Sequence, residues 1–153
     1  MKTTKAKTET YLLSDIDKLD PVTVYVTNYT PGQGKIVIEC YGSAWAYFWG
    51  GMGENNLQEF FIESSNDYIL GKLLEETRQT DFDEINEVAQ KRGFSICVSS
   101  DVAVAMQSQE MAECFGDEWY MDLPRCKTTE YDYVNRIVNA IKSAFAEELK
   151  KAA

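Results

Sequence analysis

Histidine is absent from this sequence of 153 residues. With it go the Ser-His-Asp and Cys-His arrangements in which an imidazole activates a nucleophile. Ser99-Ser100-Asp101 therefore has no base to serve it and reads as a helix cap. Cys97 and Cys114 have no cationic sequence neighbours to hold a thiolate. The four cysteines, at 40, 97, 114 and 126, include no Cys-x-x-Cys pair. Structural zinc favours close cysteine pairs or histidine partners, so no metal is expected and buried free thiols are. There are only three prolines, no repeat and no low-complexity linker. One domain is expected over residues 9–153, preceded by a flexible arm at residues 1–8. No uncharged run exceeds that of residues 40–53, too short and glycine-rich to cross a bilayer. The basic N-terminal residues are followed by no apolar segment, so no leader is expected and the cytoplasm is the expected location. At 44% hydrophobic and 12% aromatic residues, the composition supports a packed core and not a disordered chain.

Positive charge is the other scarcity: 15 lysines and arginines stand against 25 acids, for a net charge of −10. The imbalance is local. Residues 54–90 hold ten acids (Glu54, Glu59, Glu63, Asp67, Glu75, Glu76, Asp81, Asp83, Glu84, Glu87) against Lys72 and Arg78. Residues 101–132 hold eight acids against Arg125 and Lys127, and the remainder is net positive. Such a surface repels nucleic acid and anionic membrane and suits a basic partner. Solubility alone is the plainer reading of the same acidity.

The chain is organised around residues 19–53. Val22, Val24 and Val26 alternate with Thr23, Tyr25 and Thr27, the period-two pattern of a strand, and Ile36, Ile38 and Cys40 alternate with Val37, Glu39 and Tyr41. Pro31-Gly32 between them suits a type II turn. An odd-numbered loop, with Gly32 or Gly34 in the left-handed bulge position, sets the valine face beside Ile36, Ile38 and Cys40; a two-residue loop mismatches them. Residues 43–49 read as a further strand, with Trp45, Tyr47 and Trp49 on one face, and residues 11–13 as a short first one.

After Gly53 the period changes to that of helices. Asn56 with Glu59 makes a capping box, Ser65 or Asn66 a second start, and residues 81–84 a third helix ending at Gly93. Residues 94–99 read as a strand, 101–115 as ambiguous, and 116–127 as loop. The last helix carries the apolar face Val134, Ile137, Val138, Ile141, Phe145 and Leu149. Strands first, then mostly helices, predict an α+β fold: an antiparallel meander of three to four strands, packed on one face by several helices, with a long C-terminal helix.

Three features invite chemistry. Asp81, Asp83, Glu84 and Glu87 have the oxygens a hard cation takes, yet acids also belong in a helix's first turn and no twelve-residue calcium loop is present. Gly50-Gly51-Met52-Gly53 lacks the Lys and Ser/Thr of a phosphate loop, and Glu54 follows it. The Trp45/Tyr47/Trp49 face reads either as core or as an aromatic platform for a partner.

The run LDPVTVYVTNYTPGQGKIVIECYG, followed by AWAYFWGGMG and EFF, resembles a family of small accessory proteins of phages and prophages of enteric bacteria, over about residues 19–75. The resemblance implies a phage product in the host cytoplasm, of a kind that works by binding and disabling host machinery. The leading expectation is a non-enzymatic, acidic, DNA-mimicking inhibitor or modulator of a basic host protein that handles nucleic acid or serves in defence. Glu75, Glu76, Asp81, Asp83, Glu84 and Glu87 would meet that partner, with Trp45, Tyr47 and Trp49 as further candidates. Two alternatives stand beside it: a homo-oligomeric interaction module, such as a homodimer, that uses the aromatic strand face or the C-terminal helix, and a carboxylate-based metal-dependent enzyme. No cofactor, no direct nucleic-acid contact and no membrane contact are expected.

Overall fold

A computed structural model describes residues 1–153. The chain forms two compact units, residues 1–77 with 129–153, and residues 78–128.

In the first unit, β1 (Glu9–Leu13), β2 (Val22–Thr30), β3 (Gln33–Cys40) and β4 (Ser43–Trp49) form an antiparallel sheet in sequence order. Val22, Val24 and Val26 lie opposite Cys40, Ile38 and Ile36, the register that apolar matching requires. It is reached through a two-residue tip at Pro31-Gly32 and a register shift between Asn28 and Thr30, which together make the connection odd-numbered. Gly32 takes the left-handed position with φ +78°. A Cβ there would sit 2.2 Å from the Gly53 carbonyl oxygen. The Met52 N–H donates to the Gly32 carbonyl at 2.8 Å, so the turn is clamped onto the residues that follow β4. Only glycine permits that approach.

The helices α1 (Leu57–Glu63), α2 (Asn66–Leu73) and α6 (Thr129–Ala152) pack on the face of the sheet that carries Val24, Ile38, Trp45 and Trp49. The Asn56 side chain caps α1 and Glu59 reaches back in a complete capping box; Ser65 caps α2. Val134, Ile137, Val138, Ile141 and Phe145 of α6 are buried, with Leu149 at the margin. Removing a side chain such as Ile36 or Phe61, both fully buried, would cost about 2–5 kcal/mol through lost transfer energy and the cavity left. The fold is α+β, with a long C-terminal helix as the pattern of residues 134–149 predicts.

The second unit has its own core of Ile85, Ala89, Ile96, Val98, Val104, Met111 and Cys114. It contains β5 (Arg78–Thr80), α3 (Phe82–Lys91), α4 (Asp101–Met106), α5 (Ser108–Phe115), a 3-10 turn (Trp119–Met121) and β6 (Arg125–Lys127). Asp81 caps α3, and Gly93, with φ +82°, follows its end.

Two expectations need correction here, and the open reading of residues 101–115 is resolved. Residues 94–99 alternate in burial as a strand does but pair with no strand. The Asn86 side chain takes the ladder's place: its amide donates to the Val98 carbonyl at 2.9 Å and its oxygen accepts from the Val98 N–H at 2.8 Å. Residues 101–115 are two helices meeting at Gln107. Residues 116–127 are not all loop, because the short β6 pairs with β5. Of the four free thiols, Cys40 and Cys114 are buried as expected, Cys126 is half-buried and Cys97 is exposed.

Candidate functional site

The acids of residues 81–87 are set out by α3. Asp81 is half-buried and spends its side chain on the helix, accepting from the Glu84 N–H at 2.9 Å. That bond satisfies one of the donors every helix start leaves open, and the negative charge suits the helix dipole. Ile85 and Ala89 hold the opposite face in the core. That packing turns Asp83, Glu84 and Glu87 outward, and all three are exposed.

Asp83 and Glu87 are one turn apart, a rise of about 6 Å with Glu84 between them. Three charges in that length come close to the one charge per ~3.4 Å along a nucleic-acid strand. Glu87 also accepts from Lys91 at 2.6 Å, with both side chains largely exposed. An exposed pair of this kind contributes little and yields readily to a competing cation.

Beside the start of α3 a groove of about 360 Å³ is lined by Thr80, Asp81, Asp83, Asn86, Cys97 and Cys126, among others. Thr80 donates its hydroxyl to Asp101 at 3.2 Å. Ser100 caps α4 by accepting from the Ala103 N–H, which gives Ser99-Ser100-Asp101 a structural use. No three side chains of metal-ligand type converge into an ion site. The groove and its two thiols left no mark in the sequence, since residues 80, 97 and 126 meet only through folding.

The remaining candidates lie in the first unit. Glu75 and Glu76 are exposed beyond the end of α2. Trp45 and Trp49 are buried at 8% and 4% exposure, so they are core and present no platform. Trp45 donates its indole N–H to Glu130 at 3.0 Å, and Trp49 stacks edge-on against Tyr47 and Phe61. Tyr47 is half-buried, with the Lys72 ammonium 5.6 Å from its ring centre.

Shifted ionisations in this unit trace to packing. Burial, and then a 2.6 Å hydrogen bond donated to Glu148, hold the Tyr11 phenol protonated well above its usual range. A hydrogen bond with the Cys40 thiol at 3.2 Å, followed by burial, pushes Tyr133 up to about 12. Burial lowers the Lys142 ammonium, which donates to the Ser64 carbonyl at the end of α1.

No helix is long and apolar enough to cross a membrane. Among families of known proteins, the model of a phage family matches residues 1–147, a wider span than the stretch on which the sequence resemblance rests. No curated protein and no solved structure matches the chain.

Proposed function

This chain belongs to that phage family, and from that premise we propose that it is a non-enzymatic acidic protein that binds and modulates a basic host protein in the host cytoplasm. The partner is one that handles nucleic acid or serves in defence. The observation that carries the reading is the outward face of α3, where Asp83, Glu84 and Glu87 are exposed together while Asp81 is spent on capping. A row of carboxylates at this pitch offers a phosphate-binding surface much of what nucleic acid offers it. Charge of one sign also speeds encounter with a basic partner and discourages acidic ones. Glu75 and Glu76, exposed on the first unit, are candidates for a secondary contact.

The test is capture from host lysate on the tagged full-length chain across a salt series, comparing wild type with a triple variant, Asp83→Asn, Glu84→Gln and Glu87→Gln. The expected capture is a basic protein that elutes as ionic strength rises, is displaced by duplex DNA and is lost with the triple variant. Capture indifferent to salt and to the three substitutions would overturn the reading, as would the absence of any basic protein.

A further inference from the structure

We propose that the open edge of β4 is a self-association surface, on which a second copy of this chain pairs its own β4 antiparallel and extends the sheet from four strands to eight. β4 is the last strand in the sheet order and has a neighbour on one side only. Its register with β3 runs without a break, from Cys40↔Ser43 through Ile38↔Trp45 and Ile36↔Tyr47 to Gly34↔Trp49. Tyr41 and Gly42 both have positive φ, the mark of a two-residue hairpin, so the pair flanking the turn is hydrogen-bonded. The alternation of an antiparallel ladder then commits Ser43, Trp45, Tyr47 and Trp49 to β3. Ala44, Ala46 and Phe48 aim their N–H and C=O groups outward, and no other backbone group in the chain takes them up.

Natural sheets shield such edges with charge, proline or a bulge. β4, SAWAYFW, has none of these, and Ala44, Ala46 and Phe48 are all exposed. Two features make a second copy the occupant. The net charge of −10 is carried by residues 54–90 and 101–132, where two copies repel each other; along β4, which has no charged residue, two copies meet without opposing like charges. The strand is also self-complementary. A two-fold axis through Ala46 sets Ala46 against Ala46 and the small Ala44 against Phe48 of the second copy. All three outward positions then meet hydrogen-bonding counterparts, for about six N–H···O=C bonds. On the opposite face the same register lays Trp45 beside Tyr47 of the second copy, covering a ring that is half-buried in one copy.

Sedimentation across a concentration series is expected to show a monomer–dimer equilibrium. Ala46→Glu, which sets two carboxylates face to face on the axis, should shift it to monomer at every concentration. So should Ala46→Pro, which removes an outward N–H and leaves the β3 ladder intact. Ala46→Cys should form a disulfide-linked dimer on oxidation, and Ala44→Cys should not, because Ala44 opposes Phe48; wild type sets the background from Cys97. The triple α3 variant should dimerise as wild type does, which separates this surface from the partner surface. A wild-type chain that stays monomeric throughout overturns the proposal. So does a dimer indifferent to Ala46→Glu, or cross-linking equal at positions 44 and 46.

Discussion

Asn86 does at one point what a neighbouring strand does along a ladder: it satisfies both backbone groups of Val98 from a single side chain. Asn86→Ala strips both partners at once, and a buried donor or acceptor left unmet costs about 1–3 kcal/mol. A fall of that size in the unfolding free energy of the second unit is expected by denaturant titration, whereas Asn86→Asp, which still accepts, should recover part of it. Gly32 and Gly42 offer a second comparison at this scale. Both have positive φ, but a Cβ at Gly42 meets nothing within 4 Å while one at Gly32 strikes the Gly53 carbonyl. Gly42→Ala should cost roughly the ~1 kcal/mol of the left-handed backbone alone, and Gly32→Ala measurably more, read as a lower melting temperature. Tyr11 and Tyr133 set the alkaline limit. Each is held protonated by the fold above the ordinary value of 10.0. The stability they add is complete below that pH and is lost above it as each phenol ionises, Tyr133 at about 12. Phenolate absorbance should therefore rise late for these two rings, and Tyr133→Phe should flatten the alkaline fall in stability.

At the scale of elements, the acids of α3 divide by task. Asp81 caps and its neighbours face solvent. Asp81→Ala is expected to cost about 1 kcal/mol, as loss of a side-chain cap does, while Asp83→Asn and Glu84→Gln should leave the melting temperature nearly unchanged. That division was legible in part: acids opening an apolar-periodic run predict a helix start, but not that Asp81 is the one spent on the cap. The meander and its register were legible too, because Val22, Val24 and Val26 have one apolar match across the turn and a one-residue slip would expose it. Residues 94–99 misled for the same reason in reverse. Period two reports that alternate residues are buried, not that a strand lies alongside. β5 and β6 are too short to carry a period at all.

For the whole molecule, the decisive feature is that two cores form from separate sets of residues. The core of the first unit draws its strands from residues 22–49 and its long helix from residues 129–152, so it does not need residues 78–128 to be complete. Replacing that segment by a short Gly-Ser linker is expected to leave a cooperative melt and the spectrum of a mixed α/β protein; a molten or insoluble product would show the opposite. Added salt is expected to raise the melting temperature of the full chain, because the self-repulsion of a net −10 charge is screened.

Residue order alone determined the α+β class, the strand register, the cap at Asn56, the helix starts near residues 65 and 81, and the acidity of residues 54–90. These follow from period, turn chemistry and composition, which are local properties of a chain. Only the tertiary structure decided that Trp45 and Trp49 are core, that Asn86 stands in for a strand, and that Cys97 and Cys126 share a groove. It decided as well that β4 ends its sheet with an uncharged edge. Those outcomes depend on which distant segments arrive beside a residue, and no local pattern encodes that.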